Sequence, residues 1–103
     1  MIEEATARKL MAAAIDTVRR GSARRIADAL KDNGWAIGGK TGTGGRVGAP
    51  MDKQDGWFAG LVFDAQGTTR YSVATFVRRG GLGSGHAAEI SVRLARFLAT
   101  DLR

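Results

Sequence analysis

The sequence predicts an α+β fold, an antiparallel sheet of three strands flanked by one helix from each end of the chain. Three observations carry this. Between Ile2 and Arg20, apolar residues recur at helical spacing: Ala7, Met11, Ala14, Ile15 and Val18. Two strand-like runs, Gly56 to Asp64 and Arg70 to Arg78, lie either side of the hairpin turn Ala65-Gln66-Gly67-Thr68. A last helical pattern runs from about Gly85 to Leu102, with Ala87, Ile90, Leu94, Phe97 and Leu98 on one face.

In chain order, the first helix covers about residues 2–20. Glu3 and Glu4 sit in its first turn and Arg19 and Arg20 in its last, which suits the helix dipole. Gly21 stands where it would stop. Ser22 then caps a shorter helix over about 22–31, with Ile26 and Leu30 inward. Asp32-Asn33-Gly34 is a turn signal. Strands follow over about 35–43, 56–64 and 70–78, with a loop from Gly44 to Gln54 that holds the only proline, Pro50. Gly80 to Gly85 is a glycine-rich loop before the last helix, about 85–102.

The strand around Trp57 is apolar on both faces, with Trp57, Ala59, Leu61 and Phe63 against Phe58 and Val62. Such a sheet needs a layer on each side, and the two long helices can supply them. In a meander the edges are residues 35–43 and 70–78. The second edge is long and apolar, and an edge of that kind invites pairing.

The chain of 103 residues allows one domain at most, with a modest core. It has no cysteine, which excludes disulfides and thiolate metal sites. No apolar run reaches membrane-spanning length, and the region after Met1 is unlike a secretory signal, so an export signal is expected only outside this sequence. The net charge of +6 admits an anionic partner, but the arginines are dispersed and lack interleaved aromatics, so no nucleic acid is expected.

The most informative run is Gly38-Gly39-Lys40-Thr41-Gly42-Thr43-Gly44. Residues Gly34 to Thr41 match the phosphate-loop pattern literally. That pattern must open a helix, and here glycines and Pro50 follow, so the reading is rejected. The alternative is a Lys-Thr-Gly element on a strand followed by a hairpin partner. Gly21-Ser22-Ala23 also resembles the Gly-Thr-Ala that ends the preceding helix in penicillin-binding transpeptidases, and Asp55-Gly56-Trp57-Phe58-Ala59-Gly60 resembles their Asp-Ala-Trp-Phe-Val-Gly. Gly80 to Leu102 matches the end of their domain. With these segments in order, all of 1–103 resembles the C-terminal portion of such a domain, of the monofunctional kind, with a partial β-lactamase/transpeptidase-like fold.

The resemblance implies roles. Lys40 would assist proton transfer between catalytic hydroxyls and attract the substrate carboxylate. Thr41 and Thr43 would offer hydroxyls, Thr43 in particular to the carboxylate of the peptide or β-lactam. Gly42 would let the substrate lie against the strand. The Thr43 N–H would be half of the oxyanion hole. Two further strands, from sequence outside this chain, would complete the sheet beside residues 70–78.

The chain departs from the family pattern where the nucleophile should be. Three residues after Ser22, Ser72, Ser84 and Ser91 stand Arg25, Thr75, Ala87 and Leu94, so S-x-x-K is absent; S-x-N is absent too. An inactive fragment is therefore expected, supplying the substrate-binding strand of a D,D-transpeptidase that cross-links peptidoglycan at the extracytoplasmic face of the bacterial membrane. A β-lactamase or D,D-carboxypeptidase fragment remains open, as does a non-catalytic basic module that binds a peptide carboxylate or an anionic polymer. The expected partners are the missing N-terminal part of the domain or a second copy at the 70–78 edge, with stem peptide and β-lactams in the complete domain. Any membrane contact would be made only through missing segments. No cofactor or metal is expected: His86, at the start of the last helix, has no ligand partners near it in sequence. Trp35 and Trp57 read as core or cleft wall. Asp52, Asp55 and Asp64 fit turns, and Arg78-Arg79 reads as a solvated turn.

Overall fold

The computed structural model describes residues 2–21, 23–45, 48–50, 53–79 and 85–101, with the backbone alone for Arg25 and Asp101. Its elements are α1 (Glu4–Arg20), two 3-10 turns (Arg24–Ile26 and Lys31–Asn33), β1 (Ala36–Gly44), β2 (Asp55–Phe63), β3 (Thr69–Val77) and α2 (His86–Asp101). Two helices flank one three-stranded antiparallel sheet of order β1-β2-β3, the α+β arrangement that the sequence predicts. Met1, the Ser22 cap, Asp52, residues 80–84 of the glycine loop, and Leu102 lie outside the described residues.

In α1, Glu4 occupies the first turn and Arg19 and Arg20 the last. The helix stops at Gly21, whose N–H bonds the Thr17 carbonyl at 3.0 Å. The next segment corrects the sequence reading. Among the described residues 23–31 no α-helix forms; a 3-10 turn at Arg24–Ile26 and a second that begins at Lys31 stand there instead, neither with a side-chain cap. A segment this short gains little from helix propagation. Burial decides its path, and Ile26 and Leu30 are still almost fully enclosed.

The β2–β3 hairpin turns on Asp64, whose Oδ1 accepts the Gln66 and Thr68 N–H groups, each at 3.0 Å. Gly67 takes a φ of 80° there, a conformation that suits glycine.

Strand alternation puts Ile37, Phe58, Val62 and Val73 on one face, and they join the core with Ile26, Leu30, Val92 and the alanines of α2. The opposite face carries α1, seated so closely on β1 that a Cβ at Gly38 would lie 2.8 Å from the Ile15 nitrogen.

A second correction concerns α2. The face marked by its large residues is not the one it buries. Ala87, Ala88, Ser91, Val92, Ala95 and Ala99 are enclosed, while Ile90, Leu94 and Phe97 stay about half exposed. Small side chains let the helix approach the sheet closely. The buried Ser91 hydroxyl donates to the Ala87 carbonyl at 2.8 Å and so accepts from Thr75 Oγ1 at 2.7 Å.

The layer on the α1 side is incomplete. Trp57 and Phe76 face each other across β2 and β3 with ring centroids 4.4 Å apart. They remain 50% and 48% exposed.

Candidate functional site

β1 carries the Lys-Thr-Gly-Thr run and is an edge of the described sheet. Its first half is pinned on both sides. Gly34, at φ 72°, ends the second 3-10 turn and launches the strand. Trp35 and Ile37 are buried. Gly38 lies under α1. Gly39 is in register with Gly60, and both sit over the ring of Phe58, which is almost wholly enclosed. A Cβ on Gly39 would come within 2.6 Å of Phe58 Cζ, and one on Gly60 within 2.8 Å of Phe58 Cε1. The strand thus leaves a fixed base before it reaches Lys40.

From Lys40 onward, the strand runs along the open edge. Lys40 is exposed, and its Nζ donates to the Thr41 carbonyl at 2.8 Å, so the ammonium rests on the strand's own backbone. Thr41 and Gly42 are half-buried and Thr43 is exposed. Alternation sends Lys40 and Gly42 to the α1 face, and Thr41 and Thr43 to the other. The structure therefore places these four residues consecutively on one edge, but not on one face. Gly42 is in register with Trp57, and Trp57 with Phe76, so the missing side chain leaves that aromatic pair open toward the edge. Lys40 also stands at the rim of an apolar trough of about 670 Å³ between Leu10, Ala14 and Thr17 of α1 and the sheet residues Leu61 and Ala74.

The phosphate-loop match at Gly34–Thr41 runs into a strand, so no helix N-terminus faces a phosphate there. His86 is exposed at the first position of α2. Asp64 closes the hairpin and pairs with Arg70 at 3.6 Å. Asp55 accepts the Arg79 N–H at 2.9 Å and ties the end of β3 back to the start of β2. Trp35 is core, stacked on Tyr71 with centroids 6.5 Å apart. Of the serines, Ser72 is exposed on β3, Ser91 is buried and doubly bonded, and Ser22 and Ser84 lie outside the described residues. Sequence reasoning missed the seat that Gly39 and Gly60 make for Phe58. Its signal was two glycines that fall opposite each other once the strands are paired in register.

A family model described as the penicillin binding protein transpeptidase domain matches residues 1–96. The chain belongs to that family. The match takes in α1, the whole sheet and most of α2. No curated protein and no solved structure matches the chain. Domains of this family are typically found in the cell envelope. No helix among the described residues is long and apolar enough to cross a membrane.

Proposed function

We propose that this chain supplies the substrate-binding strand of a penicillin-binding D,D-transpeptidase that cross-links peptidoglycan stem peptides, and that the nucleophile comes from sequence outside it. One observation supports this above the others: Lys40-Thr41-Gly42-Thr43 lies on an open edge strand in a chain of the transpeptidase family. An extended peptide lies along that edge as an added strand, with Gly42 giving its backbone room. The Lys40 ammonium draws the substrate carboxylate and assists proton transfer between catalytic hydroxyls. Thr43 leads in holding the carboxylate, with Thr41 beside it, and the Thr43 N–H forms half of the oxyanion hole. Because Lys40 and Thr43 leave the strand on opposite sides, they hold the carboxylate around the edge rather than on a face.

Without a serine in S-x-x-K, the chain alone does no acyl transfer. Its partner is the remainder of the domain, sequence outside this chain that carries the S-x-x-K and S-x-N elements at the extracytoplasmic face of the membrane. That partner joins at the open edge of β3, where Arg70 is the only charged residue. A second copy takes the same edge when the partner is absent. The expected result is a light-scattering mass that rises with concentration across the micromolar range and stays monomeric for Ala74→Lys, since a lysine blunts an edge strand. A constant monomer mass for the unaltered chain would sink the edge-pairing claim.

Reconstitution tests the reading as a whole. The chain is mixed with a family polypeptide carrying the two missing elements, and labelling by a fluorescent penicillin is followed. Labelling that needs both parts supports the proposal; a co-eluting mixture that stays unlabelled contradicts it.

A further inference from the structure

We propose that the chain holds a second site, an anion pocket at the other end of α1, which takes a phosphate group carried on an apolar body. The pocket has a volume of about 650 Å³, within the usual range for small-molecule sites. The C-terminal half of α1, the 3-10 turns and the start of β1 wall it. Ile15, Val18, Trp35 and Ile37 form its floor, the last three almost fully enclosed, and the rest of its wall is mostly polar.

Its rim is basic. Arg19, Arg24 and Lys31 stand around it with one carboxylate, Asp28, which leaves two positive charges uncompensated. All four rim residues are exposed. The ion pairs among the described residues are Arg8–Glu4 and Arg70–Asp64, so Arg19 and Lys31 have none. Arg24 is held by one bond, from Nη1 to the Gly21 carbonyl at 3.2 Å, and its other guanidinium N–H groups remain for a ligand. Cations at a helix C-terminus offset its dipole. That accounts for Arg19, but not for Lys31, which belongs to a separate turn. A phosphomonoester matches the excess of two charges and the planar forks of the arginines. The half-buried Ile15 on the floor is the apolar surface offered to the body that carries it. This site does not depend on the transpeptidase reading.

The test uses Trp35 emission in a Trp57→Phe background, where Trp35 is the remaining tryptophan of the two. Phenyl phosphate, inorganic phosphate, and vesicles of phosphatidic acid or phosphatidylcholine are titrated separately. The expected result is saturable binding of phenyl phosphate, tighter than that of inorganic phosphate. It should weaken about tenfold or more when Arg19→Gln and Lys31→Gln are combined, as loss of two charge-assisted contacts implies. Arg93→Gln, exposed on α2 and outside the pocket, should bind as the parent does. A response to phosphatidic acid vesicles alone, abolished by the same double substitution, supports the site and assigns the phosphomonoester to a membrane surface. Failure to bind any phosphate probe overturns the proposal. So does binding that survives the double substitution or falls equally with Arg93→Gln.

Discussion

Replacing Gly60 by alanine is expected to destabilise the chain by about 3 kcal/mol, the upper end of what overpacking usually costs. The new Cβ would overlap the Gly38 carbonyl oxygen and press on the Phe58 ring. The first is backbone, fixed by the β1–β2 pairing and by α1 above it. The second is almost fully enclosed. Neither can move aside without opening the seat on which the Lys-Thr-Gly-Thr strand rests. In so small a domain, a loss of this size is a large share of the total stability. Gly44 is the matched control: a Cβ there meets nothing within 4 Å, so Gly44→Ala should stay within about 0.5 kcal/mol of the parent. Chemical denaturation measures both. A Gly60→Ala midpoint equal to that of the parent would show that the glycine pair is not what holds the strand.

Lys40→Ala is expected to slow β-lactam acylation of the reconstituted site by about 10²- to 10³-fold, within the range for loss of a positioned proton-transfer group. Its side chain is exposed and makes one described hydrogen bond, to the neighbouring carbonyl, so the fold should not suffer. Lys40→Arg keeps the charge but not the compact ammonium, and should recover only part of the rate. The measurement is the second-order acylation rate, with denaturation midpoints taken alongside. An unchanged rate for Lys40→Ala would remove Lys40 from the site.

The sheet was legible because Gly56 to Phe63 is a continuous apolar run, because Arg70 to Val77 is rich in β-branched and aromatic residues, and because Asp64 and Gly67 specify the hairpin between them. The order of the Lys-Thr-Gly run and the Asp55–Gly60 segment pointed to the family. What escaped were features that depend on contact rather than pattern. In α2, spacing weighs hydrophobicity, and Ile90, Leu94 and Phe97 outweigh the alanines. The structure instead favours close approach through Ala87, Ala88, Ala95 and Ala99, with Ser91 bonded across to Thr75. Over 23–31, the helical spacing of Ile26 and Leu30 was met instead by a 3-10 turn ending at Ile26 and a second that starts just after Leu30. The cations are dispersed along the sequence, but the fold brings Arg19, Arg24 and Lys31 to one rim. The opposite directions of Lys40 and Thr43 follow from alternation alone, yet their consequence shows only once β1 is known to be an edge.

In the proposed function, this chain contributes the binding strand and sequence outside it contributes the nucleophile. Intact-mass analysis after incubation with a penicillin tests it most directly, first on the chain alone and then on the reconstituted mixture. The expected result is no adduct on the chain in either case, and a stoichiometric adduct on the added polypeptide. A stoichiometric adduct on this chain alone would contradict the claim, and one of Ser22, Ser72, Ser84 and Ser91 would then be the nucleophile.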